Sequence, residues 1–319
     1  MSAPVPTGGA LAPADPDVLD ALVTIRDVLR HAVGRFREAG LFFGHGSGDA
    51  WDEAVYLVLH ALHLPLDRLD PFLDARLTRA ERSRLLALVA RRVDERVPAA
   101  YLTGEAWLGD YRFVVDARVI VPRSFIAELL FERLSPWVDD ADAVDAVLDL
   151  CTGSGCLAIL AADAFPQALV DAVDLSADAL DVARVNVDAY GLADRVSLVC
   201  SNLFDALGER RYDVILSNPP YVNDASMAVL PAEYRCEPRM ALAGGEDGMD
   251  LVRRILAAAP DRLTANGLLV VEVGHERPHV EAAFPDLPLT WLTTSGGDDA
   301  VFAVQAADLR DLAAHGASR

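Results

Sequence analysis

The chain has 319 residues, 52% of them hydrophobic, which suits two domains of unequal size, each with its own core. Its net charge of −21, from 28 Lys and Arg against 49 Asp and Glu, argues against binding to naked nucleic acid, because such binding requires cationic side chains at the phosphates. The sequence has no signal-peptide pattern, no apolar run of about eighteen residues and no CxxC pair, so we expect a cytoplasmic protein with reduced cysteines, no membrane span and no metal site.

Residues 1–17 are rich in Pro, Gly and Ala, a composition that predicts a disordered N-terminus. Residues 18–98 carry apolar residues at helical spacing, for example Leu19, Leu22 and Val23, and predict a small helical domain. The position of this domain and the acidic net charge of the whole chain favour a role in docking a basic protein partner.

Residues 99–123 predict a β-hairpin that links two domains. Pro98 is expected to end the preceding helix, and Gly104 and Gly109 break the aromatic and β-branched runs that follow. A further helix is expected from about residue 124, with Ser124 as its N-cap.

Residues 124–319 predict an α/β domain, because short apolar runs alternate with helical stretches from residue 145 onward. Such alternation is typical of a mostly parallel sheet covered by helices on both faces, and the short turn SGGDD predicts that the last strand is reversed. The seven expected strands are residues 146–150, 169–174, 196–200, 212–217, 267–273, 289–293 and 300–304. The expected helices are residues 155–164, 177–190 and 249–263.

A glycine-rich loop, DLCTGSGCLA at residues 149–158, follows the first of these strands. Its glycines let a ligand approach the backbone, and the N–H groups at the start of the next helix point towards that ligand. Asp174 ends the second strand, where a carboxylate is placed to bind both hydroxyls of a ribose. Loop and carboxylate together predict a cofactor that contains adenosine, either NAD or S-adenosylmethionine.

Two further details favour S-adenosylmethionine. Asp149 lies just before the loop, where a carboxylate can meet a cationic amino group, and NAD has no such group. Asn202 and Leu203 follow the third strand, where a polar side chain suits the adenine amino group and an apolar one suits the ring.

The fourth strand runs into Asn218-Pro219-Pro220-Tyr221, at the edge of the sheet where ligands of open α/β folds bind. An amide or exocyclic amine nitrogen is a poor nucleophile because its lone pair is delocalised. The side-chain oxygen of Asn218 and the carbonyl of Pro219 can each accept one N–H, which aims the lone pair at a methyl donor. Tyr221 can stack on the planar group, and two successive prolines keep the turn rigid.

With these residues in place, the chain resembles the glutamine methyltransferases of the translation machinery over roughly residues 90–305. Within them it is most similar to the branch that acts on ribosomal protein L3, because Glu-Ala-Trp follows Leu-Thr-Gly and Ser124 follows the Pro-Arg pair. The segments that carry the resemblance are PAAYLTGEAW (98–107), VPRS (121–124), DLCTGSGCLAI (149–159), SNPPYV (217–222), LPAEYRCEP (230–238), GGEDGMDLVRRIL (244–256) and VEVG (271–274).

The resemblance implies a seven-stranded, mostly parallel, Rossmann-like class I methyltransferase domain, a small N-terminal helical domain and a β-hairpin linker. It implies S-adenosylmethionine as cofactor, a basic ribosomal protein as substrate and methylation of one glutamine side-chain nitrogen. By position, the cofactor residues are Asp149, Gly153, Ser154, Gly155, Asp174, Leu175, Asn202, Leu203 and Phe113. The substrate residues are Asn218, Pro219, Pro220, Tyr221 and Arg123, of which Asn218, Pro219 and Tyr221 act in catalysis.

Three of these positions leave alternatives open. Phe113 suits a buried hairpin core equally well, and Arg123 suits a salt bridge between domains. Asn202 stands where the family often has an aspartate, which predicts weaker cofactor binding without loss of function.

Other functions also remain to be compared. A release-factor glutamine methyltransferase shares the chemistry and most of the motifs. An adenine or cytosine amino-methyltransferase shares Asn-Pro-Pro-Tyr but needs a basic groove for nucleic acid, which the net charge disfavours. A nicotinamide enzyme or a simple binding protein would use the glycine loop alone.

Overall fold

The computed structural model describes residues 16–316 and divides them into two compact units. The first contains the described residues up to Glu105 together with Pro231–Cys236, and the second contains Ala106–Leu230 and the chain from Glu237 onward. Of residues 1–17, which the sequence predicts to be disordered, residues 1–15 lie outside the described residues. Pro16 begins a helix. Within residues 16–316, no helix is long and apolar enough to cross a membrane.

The first unit is helical, as the apolar spacing predicts. Its helices are α1 (Pro16–Ala21), α2 (Ile25–Glu38), α3 (Ala50–Ala61), α4 (Arg79–Asp94) and α5 (Ala99–Thr103). Thr24 and Thr78 form capping boxes at the starts of α2 and α4, which fix where these two helices begin. The helices then bury one apolar core that includes Leu29, Phe36 and Leu85.

The prediction that Pro98 ends a helix is wrong. Helix α4 already ends at Asp94, and Pro98 directly precedes α5. The φ angle of Pro98 is −55°, which suits the residue before a first helical turn, and Gly104 ends α5 with a φ of 75°. The segment expected to be hairpin from residue 99 therefore starts with one short helix.

The hairpin itself consists of β1 (Glu105–Leu108) and β2 (Tyr111–Val114), with Gly109 at the turn in a left-handed conformation. Helix α6 (Ile126–Phe131) follows, and its N-cap is Phe125 rather than the expected Ser124. The Ser124 hydroxyl accepts from the Ile126 N–H but donates to the carboxylate of Glu272, which sets it one residue outside the cap position.

The second unit is built on one seven-stranded sheet. Its strands are β3 (Ala146–Leu150), β4 (Leu169–Asp174), β5 (Val196–Cys200), β6 (Tyr212–Ser217), β7 (Leu263–Glu272), β8 (Thr290–Thr294) and β9 (Gly297–Gln305). The spatial order is β5-β4-β3-β6-β7-β9-β8, with the first five strands parallel and β9 antiparallel to both neighbours. The prediction of a mostly parallel sheet with a reversed last strand is confirmed.

The remaining helices are α7 (Cys156–Ala164), α8 (Ala177–Ala189), α9 (Asp224–Val229), α10 (Asp250–Arg262), α11 (Arg277–Ala283) and α12 (Ala306–Gly316). The chain runs outward from β3 through β4 to β5 and then returns to place β6 on the other side of β3. The connections from β3 and β6 therefore diverge, which opens a crevice at the carboxyl ends of these two strands.

Candidate active site

The carboxyl ends of β3 and β6 lie at the same height in the sheet. Leu150 and Ser217 are register partners, and the Ser217 hydroxyl donates to the Leu150 carbonyl at 3.0 Å. The glycine loop begins directly after Leu150, and Asn218 directly follows Ser217. Register alone thus brings the two sequence motifs side by side.

A cavity opens between these motifs within the second unit. Residues of the glycine loop, of the segment after β4 and of the Asn-Pro-Pro-Tyr turn share its wall. The lining residues are Arg118, Val119, Ile120, Cys151, Gly153, Asp174, Leu175, Ser176, Ala179, Asn218, Pro220, Pro238, Met240, Ala241 and Leu251.

The glycine loop requires glycine at two positions. Gly153 and Gly155 have φ angles of 56° and 79°, a left-handed conformation that strains other residues. A Cβ atom at Gly155 would also lie 3.2 Å from the Cβ of Ala183 on α8. The loop can therefore turn tightly into α7, whose first N–H groups carry a partial positive charge.

Asp174 lies at the end of β4 and lines the cavity. Its Oδ2 accepts from the Gly153 N–H at 2.9 Å and its Oδ1 accepts from the Ser176 N–H at 2.8 Å. Partial burial raises the pKa of this carboxyl, while the backbone donors lower it. The carboxylate is held rigidly at the cavity wall, beside the exposed side chain of Leu175.

Asp149 lies beneath the loop and does not line the cavity. It is fully buried; its Oδ2 accepts from the Thr152 hydroxyl at 2.5 Å, whereas Oδ1 has no hydrogen-bond partner among the described residues. Burial raises the pKa of Asp149 to about 7, although hydrogen bonds from Thr152 and the backbone of Ala158 lower it. A buried carboxylate oxygen of this kind favours a cationic partner.

Asp149→Asn is expected to flatten the pH dependence of stability. A carboxyl whose folded-state pKa is raised contributes stability that is present below its unfolded pKa and is lost as the pH rises through about 7. The ligand-free protein should lose roughly 2 kcal/mol of unfolding free energy between about pH 5 and pH 7 that the variant retains. Urea denaturation at several pH values measures this, and parallel curves for both proteins would contradict the assignment.

Asn218 is half-buried at the opposite wall of the cavity. Its Nδ2 donates to Glu272 Oε1 at 3.1 Å, and no described residue donates to its Oδ1. The Tyr221 ring packs over Gly274, where a Cβ atom would come within 2.7 Å of Tyr221 Cε2. Of this turn, Asn218 and Pro220 line the cavity, whereas Pro219 and Tyr221 are not among its lining residues.

Comparison with known proteins identifies the family of the chain. Residues 27–104 match the PrmC N-terminal domain model, and residues 127–232 match the Methyltransferase small domain model. A ribosomal protein uL3 glutamine methyltransferase of Bordetella pertussis is 66% identical over 280 residues, which cover 88% of this chain and 94% of that protein. The one of Burkholderia pseudomallei is 62% identical over 297 residues, which cover 91% and 97%.

The chain belongs to the ribosomal protein uL3 glutamine methyltransferases. This confirms the predicted glutamine methyltransferase and the choice of the ribosomal-protein branch over the release-factor branch. Among solved structures, the hMettl16 catalytic domain matches at a TM-score of 0.48 with 15% identity, over 70% of this chain and 80% of that one.

The methyltransferase family implies S-adenosylmethionine as the methyl donor, and the cavity suits it. The cofactor carries a cationic sulfur, a ribose and a flat adenine ring. The wall offers the carboxylate of Asp174 for the ribose, the exposed apolar side chain of Leu175 for the ring and a left-handed glycine at position 153 for close approach. The acidic side chain of Asp174 at the wall also suits a cation.

Five other residues that the sequence predicts to bind the cofactor do not line the cavity: Phe113, Ser154, Gly155, Asn202 and Leu203. Phe113 is fully buried with its ring 5.9 Å from that of Tyr190, in the hairpin core. Leu203 is buried in the main core, and Asn202 Oδ1 accepts from Arg254 at 2.9 Å. The backbone carbonyl of Ser154 accepts from the side chain of Asn186.

Arg123 is tied to a carboxylate rather than aimed at the cavity. It forms a two-pronged pair with the buried Glu237, with Nη1–Oε1 and Nη2–Oε2 distances of 2.5 and 2.8 Å. Both residues belong to the second unit, so this pair braces the segment before α6 within that unit.

Sequence reasoning missed several residues of the site. Asn186 on α8 bonds to the backbone of both Val114 and Ser154, and so joins the hairpin to the glycine loop. Arg118 lines the cavity while paired with Asp116. Glu272 was part of a recognised motif without a role, although a carboxylate that ends an apolar strand is itself a signal.

Asp174→Ala is expected to weaken binding of S-adenosylmethionine by about tenfold or more, because hydrogen bonds to an ionised carboxylate are lost. Isothermal titration calorimetry with S-adenosylhomocysteine measures the affinity. Asp178→Ala is the matched control, since Asp178 is an exposed aspartate on α8 outside the cavity wall. Equal affinity of the Asp174 variant and the parent protein would overturn the ribose assignment.

Proposed function

We propose that this chain transfers a methyl group from S-adenosylmethionine to the side-chain nitrogen of one glutamine in ribosomal protein uL3, giving N5-methylglutamine. The observation that carries the proposal is the position of Asn218, whose unsatisfied Oδ1 shares a cavity with Gly153 and Asp174. Family membership supports uL3 as the substrate, because the relatives are named for it.

The chain's own residues would orient the glutamine more than activate it. Asn218 Oδ1 and the carbonyl of Pro219 each accept one N–H of the amide, and the Tyr221 ring covers its flat face. S-Adenosylmethionine supplies an electrophilic methyl group on a cationic sulfur. As the C–N bond forms, the sulfur–methyl bond would break and its electron pair would return to sulfur, leaving S-adenosylhomocysteine. The two acceptors strengthen as positive charge develops on nitrogen, which then loses its proton to water.

Charge supports a basic protein as the partner. The net charge of −21 favours association with a cationic ribosomal protein and disfavours a nucleic-acid substrate that needs a basic groove. A ribosomal substrate would place the reaction in the cytoplasm.

The test is a methyl-transfer assay with the purified chain, radiolabelled S-adenosylmethionine and three acceptors in separate tubes. These are purified uL3, a purified peptide-chain release factor and single-stranded DNA. We expect label in uL3 alone, on a glutamine located by tandem mass spectrometry. Label in the release factor would show that this protein is the substrate instead of uL3. Label in DNA would show that the chain methylates amino groups of bases, and would refute the proposed reaction.

A further inference from the structure

Glu272 lies beside Asn218 because of the strand register. Ser217 pairs with Val271 in the parallel ladder between β6 and β7, so the next residue of each strand, Asn218 and Glu272, also meet. Glu272 is 2% exposed, and burial raises its pKa to about 7. A buried carboxylate needs a hydrogen-bond donor at each oxygen. Some of the donors here have a fixed polarity, whereas the side-chain amide of Asn218 can be turned end for end.

The two oxygens of Glu272 have different partners. Oε2 accepts from the Phe125 N–H at 2.8 Å and from the Ser124 hydroxyl at 2.5 Å, whereas Oε1 accepts from Asn218 Nδ2 at 3.1 Å. A backbone N–H can only donate, so Oε2 must remain an acceptor. An ionised carboxylate can also only accept, so the amide of Asn218 must turn its NH₂ group towards Glu272.

We propose that Glu272 is a positioning residue that fixes the orientation of the Asn218 amide, so that Oδ1 rather than the NH₂ group faces the substrate glutamine. The inference rests on the proposed function, in which Asn218 Oδ1 accepts an N–H of that glutamine. An amide has two ends of almost equal size, and packing alone does not choose between them. In the inverted orientation, the NH₂ group of Asn218 would face the NH₂ group of the substrate glutamine, and Oδ1 would no longer accept from it.

Glu272→Gln tests this by reversing the polarity at constant shape. The new glutamine must keep its carbonyl oxygen at the Phe125 N–H, which turns its NH₂ group towards Asn218 and draws Oδ1 away from the cavity. Above the pKa of about 7 for Glu272, for example near pH 8, kcat should fall about a hundredfold. Affinity for S-adenosylhomocysteine should change by less than about twofold, because Glu272 does not line the cavity.

A second substitution, at Asn218, should restore the pattern of hydrogen-bond donors and acceptors between positions 218 and 272. In Asn218→Asp with Glu272→Gln, the aspartate at 218 accepts from the new NH₂ group through one oxygen and from the substrate through the other. Asn218→Asp alone places two carboxylates in contact. We expect kcat of the double variant to exceed that of either single variant by about tenfold, a recovery that a purely structural role of Glu272 would not produce.

Glu276→Gln is the matched control for loss of a buried carboxylate. Glu276 is also buried, accepts from Asn223 Nδ2 at 2.7 Å and lies outside the cavity wall. It should leave kcat within about twofold of the parent value.

Two outcomes would overturn the proposal: at least half of the parent kcat in Glu272→Gln, or a double variant no faster than Asn218→Asp. The second comparison holds even if Glu272→Gln alone does not fold. A parent protein that fails to methylate uL3 would instead refute the proposed function, so the two failures are distinguishable.

Discussion

Asn218→Ala is expected to lower kcat for methylation of uL3 by about a hundredfold or more, with little change in cofactor affinity. The substitution removes the one side-chain acceptor that the turn presents to the cavity. That acceptor gains strength only as charge develops on the attacking nitrogen, so its loss raises the barrier more than it weakens ground-state binding. It also leaves Glu272 without one of its donors, which adds a modest cost in stability.

Steady-state kinetics with uL3, together with calorimetry for S-adenosylhomocysteine, separate these effects. Asn223→Ala is the matched control, because Asn223 is a buried asparagine outside the cavity wall that caps α9 and bonds to Glu276. The control should cost about 1 kcal/mol of stability through the lost cap while kcat stays within about twofold. If Asn218→Ala kept more than half of the parent kcat, the amide would not be held by this side chain.

The strands of the sheet were predictable because most are short apolar runs buried on both faces. The expected residues 146–150, 169–174, 196–200 and 212–217 coincide with β3 to β6. Strands β7 and β9 begin earlier than predicted, at Leu263 and Gly297, where polar residues or glycine interrupt the apolar run. Pairing with a neighbouring strand decides those ends, since Leu263 pairs with Tyr212 beside a register shift that periodicity cannot reveal.

The site was predictable only as far as local motifs reach. The loop, Asp174 and Asn218 stand out in the sequence because glycine, proline and a carboxylate at strand ends have few other uses. The partner of Asn218 could not be predicted, since Glu272 is distant in sequence and the pairing depends on sheet register. For the same reason the sequence did not predict that Arg254 donates a hydrogen bond to Asn202, or that Asn186 bonds to the backbone of the hairpin.

The first unit contains a buried ion-pair network that no sequence motif predicts. Arg92 on α4 is 1% exposed and donates to Glu53 Oε1 at 2.6 Å, to Glu233 Oε1 at 3.4 Å and to the Phe42 carbonyl at 2.8 Å. Glu233 lies in Pro231–Cys236, a segment far along the chain that packs in this unit. Arg92 thus bridges two buried carboxylates, Arg96 adds a second cation at Glu233 at 3.3 Å, and together they hold a distant segment within this unit.

Arg92→Met is expected to destabilise this unit by about 3–5 kcal/mol, because methionine fills the space of the arginine stem but leaves the buried Glu53 without Arg92, while Glu233 keeps Arg96. Arg91→Met is the control on the neighbouring position. Arg91 pairs with Glu95 at a partly exposed surface, at 3.4 Å, and the pair should contribute less than about 1 kcal/mol. Urea denaturation of the full chain, followed by circular dichroism, measures both values.

The pH dependence of the Arg92→Met defect distinguishes lost charge from lost packing. Burial raises the pKa of Glu53, and the positive charge of Arg92 opposes that rise, so the variant should have a still higher pKa at Glu53. A carboxyl with a raised folded-state pKa contributes stability below its unfolded pKa and loses it as pH rises. The difference from the parent protein should therefore widen as the pH is raised from the unfolded-state pKa of a glutamate, about 4, towards neutral. A constant difference over that range would mean that Arg92 acts through packing alone.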